Sequence, residues 1–189
     1  MYLKQLIASG KTIFSLQDLG KIWRIENKDY LKLVASRLFK RGEIMRISRG
    51  IYAISKEFNQ YELANKLKTL SYVSLESVLQ KEGVIFQDYG NTVFSVSDNS
   101  LVKKIGSQTF QYAKLNKKIL INPLGITNLG QAKIATVERA LCDRIYFSAD
   151  YYFDNLRGIN LEKLAAIAEI YNLRVQKEVA ALIKDINKK

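Results

Sequence analysis

The chain has no histidine, one cysteine and one proline in 189 residues. Each shortage removes a class of chemistry. Without histidine there is no Ser-His-Asp or Cys-His pair to activate a nucleophile. With Cys142 as the single thiol there is no internal disulfide, which fits a reducing compartment, and no zinc site of the usual ligand types. The lone proline, Pro123, leaves no proline-rich linker. No apolar run reaches the roughly 18 residues of a transmembrane helix. The opening stretch MYLKQLIASGKTIF lacks the apolar core of a signal peptide, so a cytoplasmic protein is expected. There is no GxxxxGK[ST] phosphate loop and no acid-rich cluster of the two-metal nuclease kind. No enzyme activity, no metal and no cofactor are expected.

What the chain has is positive charge. Lys and Arg number 30 against 18 Asp and Glu, a net charge of +12 with a pI near 9.7. Such an excess favours a polyanionic partner, with nucleic acid or an acidic membrane surface the usual ones. The charge is uneven. Residues 1–58 hold 12 basic and 5 acidic side chains, and residues 59–189 hold 18 and 13. Per residue the first third is about three times as basic as the remainder.

The order of elements predicts a fold of the α+β class. Tyr2, Leu3, Leu6 and Ile7 have helical spacing up to Gly10. Ser15 with Asp18 three residues on reads as a helix start, followed by Leu16, Leu19, Ile22 and Trp23. Asn27 is the next cap, and Leu31, Val34, Ala35 and Leu38 form the buried stripe of a third helix that Gly42 closes. Two β-rich runs then flank a tight turn, Ser48-Arg49-Gly50. Three helices and a hairpin are the order of a winged helix-turn-helix, assigned to residues 1–58. Residues 59–189 are expected to form an α+β C-terminal domain. Its helices are predicted over 61–69, over 74–82 capped by Ser74, after Thr136 and Asn160, and at the C-terminus. Its small antiparallel sheet would be built from VIFQ, TVFSVS, LVKKI, TFQYAKL, KILI and GIT.

Residues 37–54, RLFKRGEIMRISRGIYAI, mix core residues with cations. On the third helix Lys28, Lys32, Ser36, Arg37 and Lys40 fall away from the apolar stripe, with Tyr30 and Leu33 flanking them. A helix with such an outer face can lie in the major groove, where Lys32 and Arg37 meet guanine acceptors or phosphates. Tyr30 would reach a thymine methyl or a phosphate. Arg41 follows the helix. Arg46, Ser48 and Arg49 on or near the hairpin tip suit phosphates or the minor groove. The competing reading of any one basic helix face is a solvated surface. Lys103-Lys104 and Lys117-Lys118 are open to the same two readings.

Three stretches resemble the AbiEi-like antitoxins, winged-helix regulators of bacterial abortive-infection toxin–antitoxin operons. They are RLFKRGEIMRISRGIYAI, YVSLESVLQKEGVI (residues 72–85) and IATVERALCDRIYF (residues 134–147). Arg139 stands where the family often has Lys, and Arg144 where an apolar residue is common. The resemblance implies an N-terminal domain that represses its own operon by binding inverted repeats in the promoter DNA. It implies a C-terminal antitoxin domain that counteracts a nucleotidyltransferase-like toxin, usually without a stable complex. A monomer that binds cooperatively is compatible with it. A protein-binding antitoxin that clamps its toxin is the alternative, and a nuclease is a third reading.

Within the last stretch Glu138 and Asp143 are five positions apart, about 140° around a helix, so they do not face one substrate. Arg139 and Asp143, at i and i+4, read as a surface salt bridge worth a few tenths of a kcal/mol. Glu138 is expected to bond a buried backbone or Tyr group, and Cys142 to be a small core residue. The aromatic residues Tyr146, Phe147, Tyr151, Tyr152 and Phe153 suit either a core or a partner-binding surface.

Overall fold

Ser15 stops β1 (Ile13–Ser15) and starts α2 (Leu16–Trp23) through a complete capping box. Its hydroxyl accepts from the Asp18 N–H at 3.1 Å, and the Asp18 carboxylate accepts from the Ser15 N–H at 2.8 Å. This local chemistry is what the sequence foretold. The computed structural model describes residues 2–188 and divides into two units, Met1–Thr69 and Leu70–Lys189.

In the first unit, α1 (Tyr2–Ala8), α2 and α3 (Lys28–Lys40) enclose a core with Leu6, Phe14, Leu19, Trp23 and the stripe Leu31, Val34, Ala35 and Leu38. Asn27 caps α3 by accepting from the N–H groups of Asp29 and Tyr30 at 3.0 and 2.9 Å. Gly42, at φ 72°, ends it. The Gly42 N–H reaches the Phe39 carbonyl and the Glu43 N–H the Leu38 carbonyl, the paired bonds of a Schellman motif, which needs a left-handed residue between them. The hairpin follows as β2 (Met45–Ser48) and β3 (Ile51–Ala53), with a register irregularity between Arg46 and Ser48. β3 is the centre of an antiparallel sheet in the order β1-β3-β2. The sequence reading missed β1, because three residues paired with Ala53, Tyr52 and Ile51 carry no local signature of a strand.

The expected boundary at 58/59 falls too early. Helix α4 (Gln60–Leu67) belongs to the first unit. Its Glu62 is buried and accepts from the Thr12 N–H at 3.0 Å and the Thr12 hydroxyl at 2.6 Å. Lys66 pairs with Asp18 at 2.8 Å, and Lys11 pairs with it at 3.2 Å. Burial works to raise the Asp18 pKa. Hydrogen bonds from Lys66 and Ser15 outweigh it and hold the carboxyl well below the usual carboxylate range. A depressed acid contributes stability at neutral pH that is lost as pH falls below the unfolded value of about 4. Asp18→Ala is therefore expected to cost about 1–2 kcal/mol at pH 7. The gap between wild type and variant, measured by urea unfolding followed through Trp23 fluorescence, should shrink between pH 5 and pH 2.

The second unit is built on a six-stranded sheet in the order β6-β7-β5-β4-β9-β8. Its strands are β4 (Ser71–Val73), β5 (Thr92–Ser97), β6 (Leu101–Ile105), β7 (Gln108–Lys114), β8 (Ile126–Leu129) and β9 (Ala132–Ala135). The expectation of a small antiparallel sheet is corrected here. β5 runs parallel to β7 and β4 parallel to β9, so the sheet is mixed. The reason is that β6 turns back on β7 as a hairpin, and β7 returns into the slot beside β5. VIFQ is not a strand, although Val84 and Ile85 are buried, and KILI contributes the helical turn α6 (Lys117–Leu120), capped by Asn116. Ser74 does not cap α5 (Glu76–Lys81). The N-cap is Leu75, buried at φ 57°, ψ −138°. Helices α7 (Val137–Phe147), α8 (Leu161–Ala168) and α9 (Leu173–Ile186) follow, capped by Thr136, Asn160 and Asn172.

The Arg139–Asp143 pair is not on the surface. Both side chains have 0% exposure. The direct N···O distance is 3.7 Å, and Tyr72 bridges it: its hydroxyl accepts from Arg139 Nε at 3.1 Å and donates to Asp143 Oδ1 at 3.1 Å. Tyr171 donates to the same oxygen at 2.6 Å and Ser74 to Oδ2 at 2.7 Å. The Arg139 terminal nitrogens donate to the carbonyls of Leu124 and Ile119 at 2.8 and 2.7 Å. Burial pushes the Asp143 carboxyl above its ordinary value, opposed by Arg139 and the three hydroxyls. Burial, and next the Asp143 charge, push the Tyr72 and Tyr171 phenols far up, so both keep their protons and donate. Beside this network Gly125 sits at φ 73°. A Cβ there would meet Arg139 Cβ and Ile167 Cδ1 at 2.8 Å. Gly125→Ala is expected to cost about 2–4 kcal/mol in thermal or urea unfolding, from overpacking and left-handed strain together.

Candidate nucleic-acid interface

Helix α3 buries its apolar stripe and exposes what lies opposite. Lys28, Tyr30, Lys32, Ser36, Arg37 and Lys40 are all exposed. At 100° per residue, Lys32, Ser36, Arg37 and Lys40 share the side of the helix turned away from Leu31, Val34, Ala35 and Leu38. Leu33 and Phe39 are 45% and 46% exposed among them, so this face offers apolar contacts as well as cations. Tyr30 is 48% exposed, and its hydroxyl has a partner in Tyr2, whose phenol pKa is raised first of all by that hydrogen bond. Lys32 pairs with Asp29 at 3.0 Å, and both are exposed, so the pair is weak and gives way easily to a phosphate.

Arg41 lies past the helix as its C-cap and sits 3.7 Å from Glu43, a geometry that partly neutralises it. On the hairpin Arg46 and Arg49 are exposed, Arg46 opposite Tyr52 in β3 and Arg49 in the turn. Ser48 is half-buried at the end of β2 rather than free at the tip. Ile51, Tyr52 and Ala53 are all buried, so β3 is covered on both faces rather than on one alternating face, and it holds the hairpin in place.

Sequence reasoning missed two cations of this unit. Lys21 in the last turn of α2 and Arg24, its C-cap, are exposed and line a cleft of about 860 Å³ with Lys28 and Lys32. Only the packing of α2 against α3 brings these two cations beside Lys28 and Lys32, so no local sequence signal marks them.

In the second unit Lys104 is exposed on the edge strand β6, where Lys103 is half-buried, and Lys117 and Lys118 are exposed on α6. Lysines on a sheet edge discourage pairing with other strands. Glu138 is buried and accepts from the Asn160 N–H at 3.3 Å, so it fastens the start of α8. Cys142 is buried, and burial drives its thiol far above the ordinary value, so it is an inert core residue. The aromatic cluster divides. Tyr146 packs on Phe147 and Tyr171, while Tyr151 lies under the Arg144 guanidinium at 4.4 Å and bonds Tyr89. Tyr152 is 78% exposed.

No protein-family model matches the sequence, and no curated protein matches it. Among the described residues no helix is long and apolar enough to cross a membrane.

Proposed function

We propose that the first unit is a winged helix-turn-helix that binds double-stranded DNA, with α3 in the major groove and the β2–β3 hairpin as the wing. The chain would repress its own operon and serve as the antitoxin to a nucleotidyltransferase-like toxin, without itself being an enzyme. The observation that carries the DNA reading is the division of α3. Four apolar side chains are buried, while Lys28, Tyr30, Lys32, Ser36, Arg37 and Lys40 stand exposed, with Asp29 the one acid on the helix, beside a hairpin that carries Arg46 and Arg49 into solvent. Lys and Arg outnumber Asp and Glu 12 to 5 over the same residues, 1–58, which favours a polyanion.

The antitoxin part rests on the resemblance of residues 72–85 and 134–147. These two stretches supply Tyr72, Ser74, Arg139 and Asp143 to one buried network, so their shared residues hold the second unit together. A reporter driven by the DNA upstream of the gene should be repressed by the wild-type chain and released by the double substitution Lys32→Ala, Arg37→Ala. Equal repression by the two would refute the assignment of α3. Co-expression with the neighbouring toxin gene should restore growth through either protein, because α3 takes no part in antitoxicity.

A second reading, an antitoxin that holds its toxin directly, is favoured by Tyr152. Its exposed ring lies at a cleft of about 590 Å³ that is also lined by Leu182 and Ile186 of α9. Co-purification of the toxin with the tagged chain, lost on Tyr152→Ala, would support it.

A further inference from the structure

We propose that the cleft between α2 and α3 is a second phosphate-binding site for the DNA backbone, in which Lys21 and Arg24 hold the strand beside the groove that α3 enters. This rests on the reading of α3 as the DNA-contacting helix. It adds two residues from outside that helix and from outside the hairpin.

Three observations point to it. The first is the make-up of the cleft. Its floor is apolar, from Leu16, Ile25 and Leu31, and its rim carries Lys21, Arg24, Lys28 and Lys32 against a single acid, Glu26. An apolar floor under a ring of cations suits a deoxyribose with its phosphates, the sugar against carbon and the phosphodiester against the charges. The second is the state of those cations. Among the described residues Lys21, Arg24 and Lys28 have no acidic partner within 4.0 Å, and only Lys32 has one, in Asp29. Cations gathered at one cleft repel each other, and a bound polyanion relieves that repulsion.

The third is the backbone of Arg24. It sits at φ 56°, ψ 42°, the left-handed region, where its N–H reaches the Gly20 carbonyl and closes α2. The usual occupant of such a cap is glycine, because a Cβ is strained there. The turn thus keeps a strained arginine at the cleft where glycine would serve the backbone better, and strain of this kind is found at functional positions. The positive end of the α3 dipole lies at the same place and adds to the attraction for an anion.

The test uses the full chain, a duplex of the DNA upstream of its gene and a scrambled duplex of equal length, each over a salt series. The main variant is Lys21→Gln with Arg24→Gly. Glycine removes the guanidinium and relieves the left-handed backbone, and Trp23 fluorescence next door reports that the fold is kept. Lys21→Gln alone, which leaves the turn and the α3 face untouched, is the second variant.

The proposal predicts that the slope of log K against log salt falls by about one unit for each cation removed, on both duplexes, with the preference for upstream DNA retained. An unchanged slope overturns it, and a wild-type preference for upstream DNA would then still support α3 as the reading helix. A lost preference at unchanged slope also overturns it, because the pair would then contact bases. If the wild type binds both duplexes equally but the variants lose slope, the cleft is a phosphate site and the specific-repressor reading fails. If the wild type binds neither duplex, both fail.

Discussion

Asp143→Ala is expected to destabilise the second unit by about 3–5 kcal/mol, the largest single effect in this chain. The carboxylate is fully buried and is the acceptor for Tyr72, Tyr171 and Ser74. Its removal leaves three buried hydroxyls without their acceptor and the Arg139 cation without its counter-charge. Arg139→Ala should be comparably severe. It strips donors from the Leu124 and Ile119 carbonyls and leaves the buried Asp143 without its counter-charge. The double change Arg139→Met, Asp143→Leu should cost clearly less than the two single changes summed, because no uncompensated charge remains. The single tryptophan, Trp23, lies in the first unit, so its fluorescence does not report this loss. Circular dichroism, or hydrogen exchange over residues 70–188, does. Wild-type unfolding by Asp143→Ala would contradict the account of the network.

The second large effect is on DNA. Arg46→Ala with Arg49→Ala should weaken binding to every sequence and lower the slope of log K against log salt by about two units, one per lost phosphate contact. Both side chains are exposed, and exposed positions away from caps and cores change stability by less than about 0.5 kcal/mol, so the loss is one of binding and not of folding. Arg37→Ala should behave differently. If Arg37 pairs with a guanine, the loss falls on one base position, about 1–3 kcal/mol of discrimination, while the salt slope holds. A uniform loss over all sites would make Arg37 a phosphate contact. A double variant of the hairpin that binds like wild type at every salt concentration would remove the hairpin from the interface.

The parts of the fold legible in the sequence are those written in local chemistry. Ser15 with Asp18, Asn27, Thr136 and Asn160 each cap a helix where the expectation put one, because a cap needs only its own next three residues. The α3 stripe and the hairpin were legible for the same reason. What escaped depends on partners far along the chain. β1 and β4 are three-residue strands whose neighbours come from elsewhere in the sequence. KILI has the composition of a strand, but Asn116 caps it into a helical turn. The i,i+4 spacing of Arg139 and Asp143 was plain. Their burial was not, because Tyr72, Ser74 and Tyr171 reach Asp143 from 28 to 71 residues away. At the candidate interface the outer residues of α3 followed from helical period. Lys21 and Arg24 did not, since only the packing of α2 against α3 makes them neighbours of Lys28 and Lys32.

The most direct test of the central claim is equilibrium binding of the pure full-length chain to DNA from upstream of its own gene. Scrambled DNA of equal length is the control, at 50 and 200 mM salt. The account predicts tighter binding to the upstream DNA at both concentrations, with both affinities falling as salt rises and the preference surviving at 200 mM. Equal binding to the two duplexes, vanishing together at the higher salt, would contradict it and leave α3 and the hairpin as no more than a basic surface.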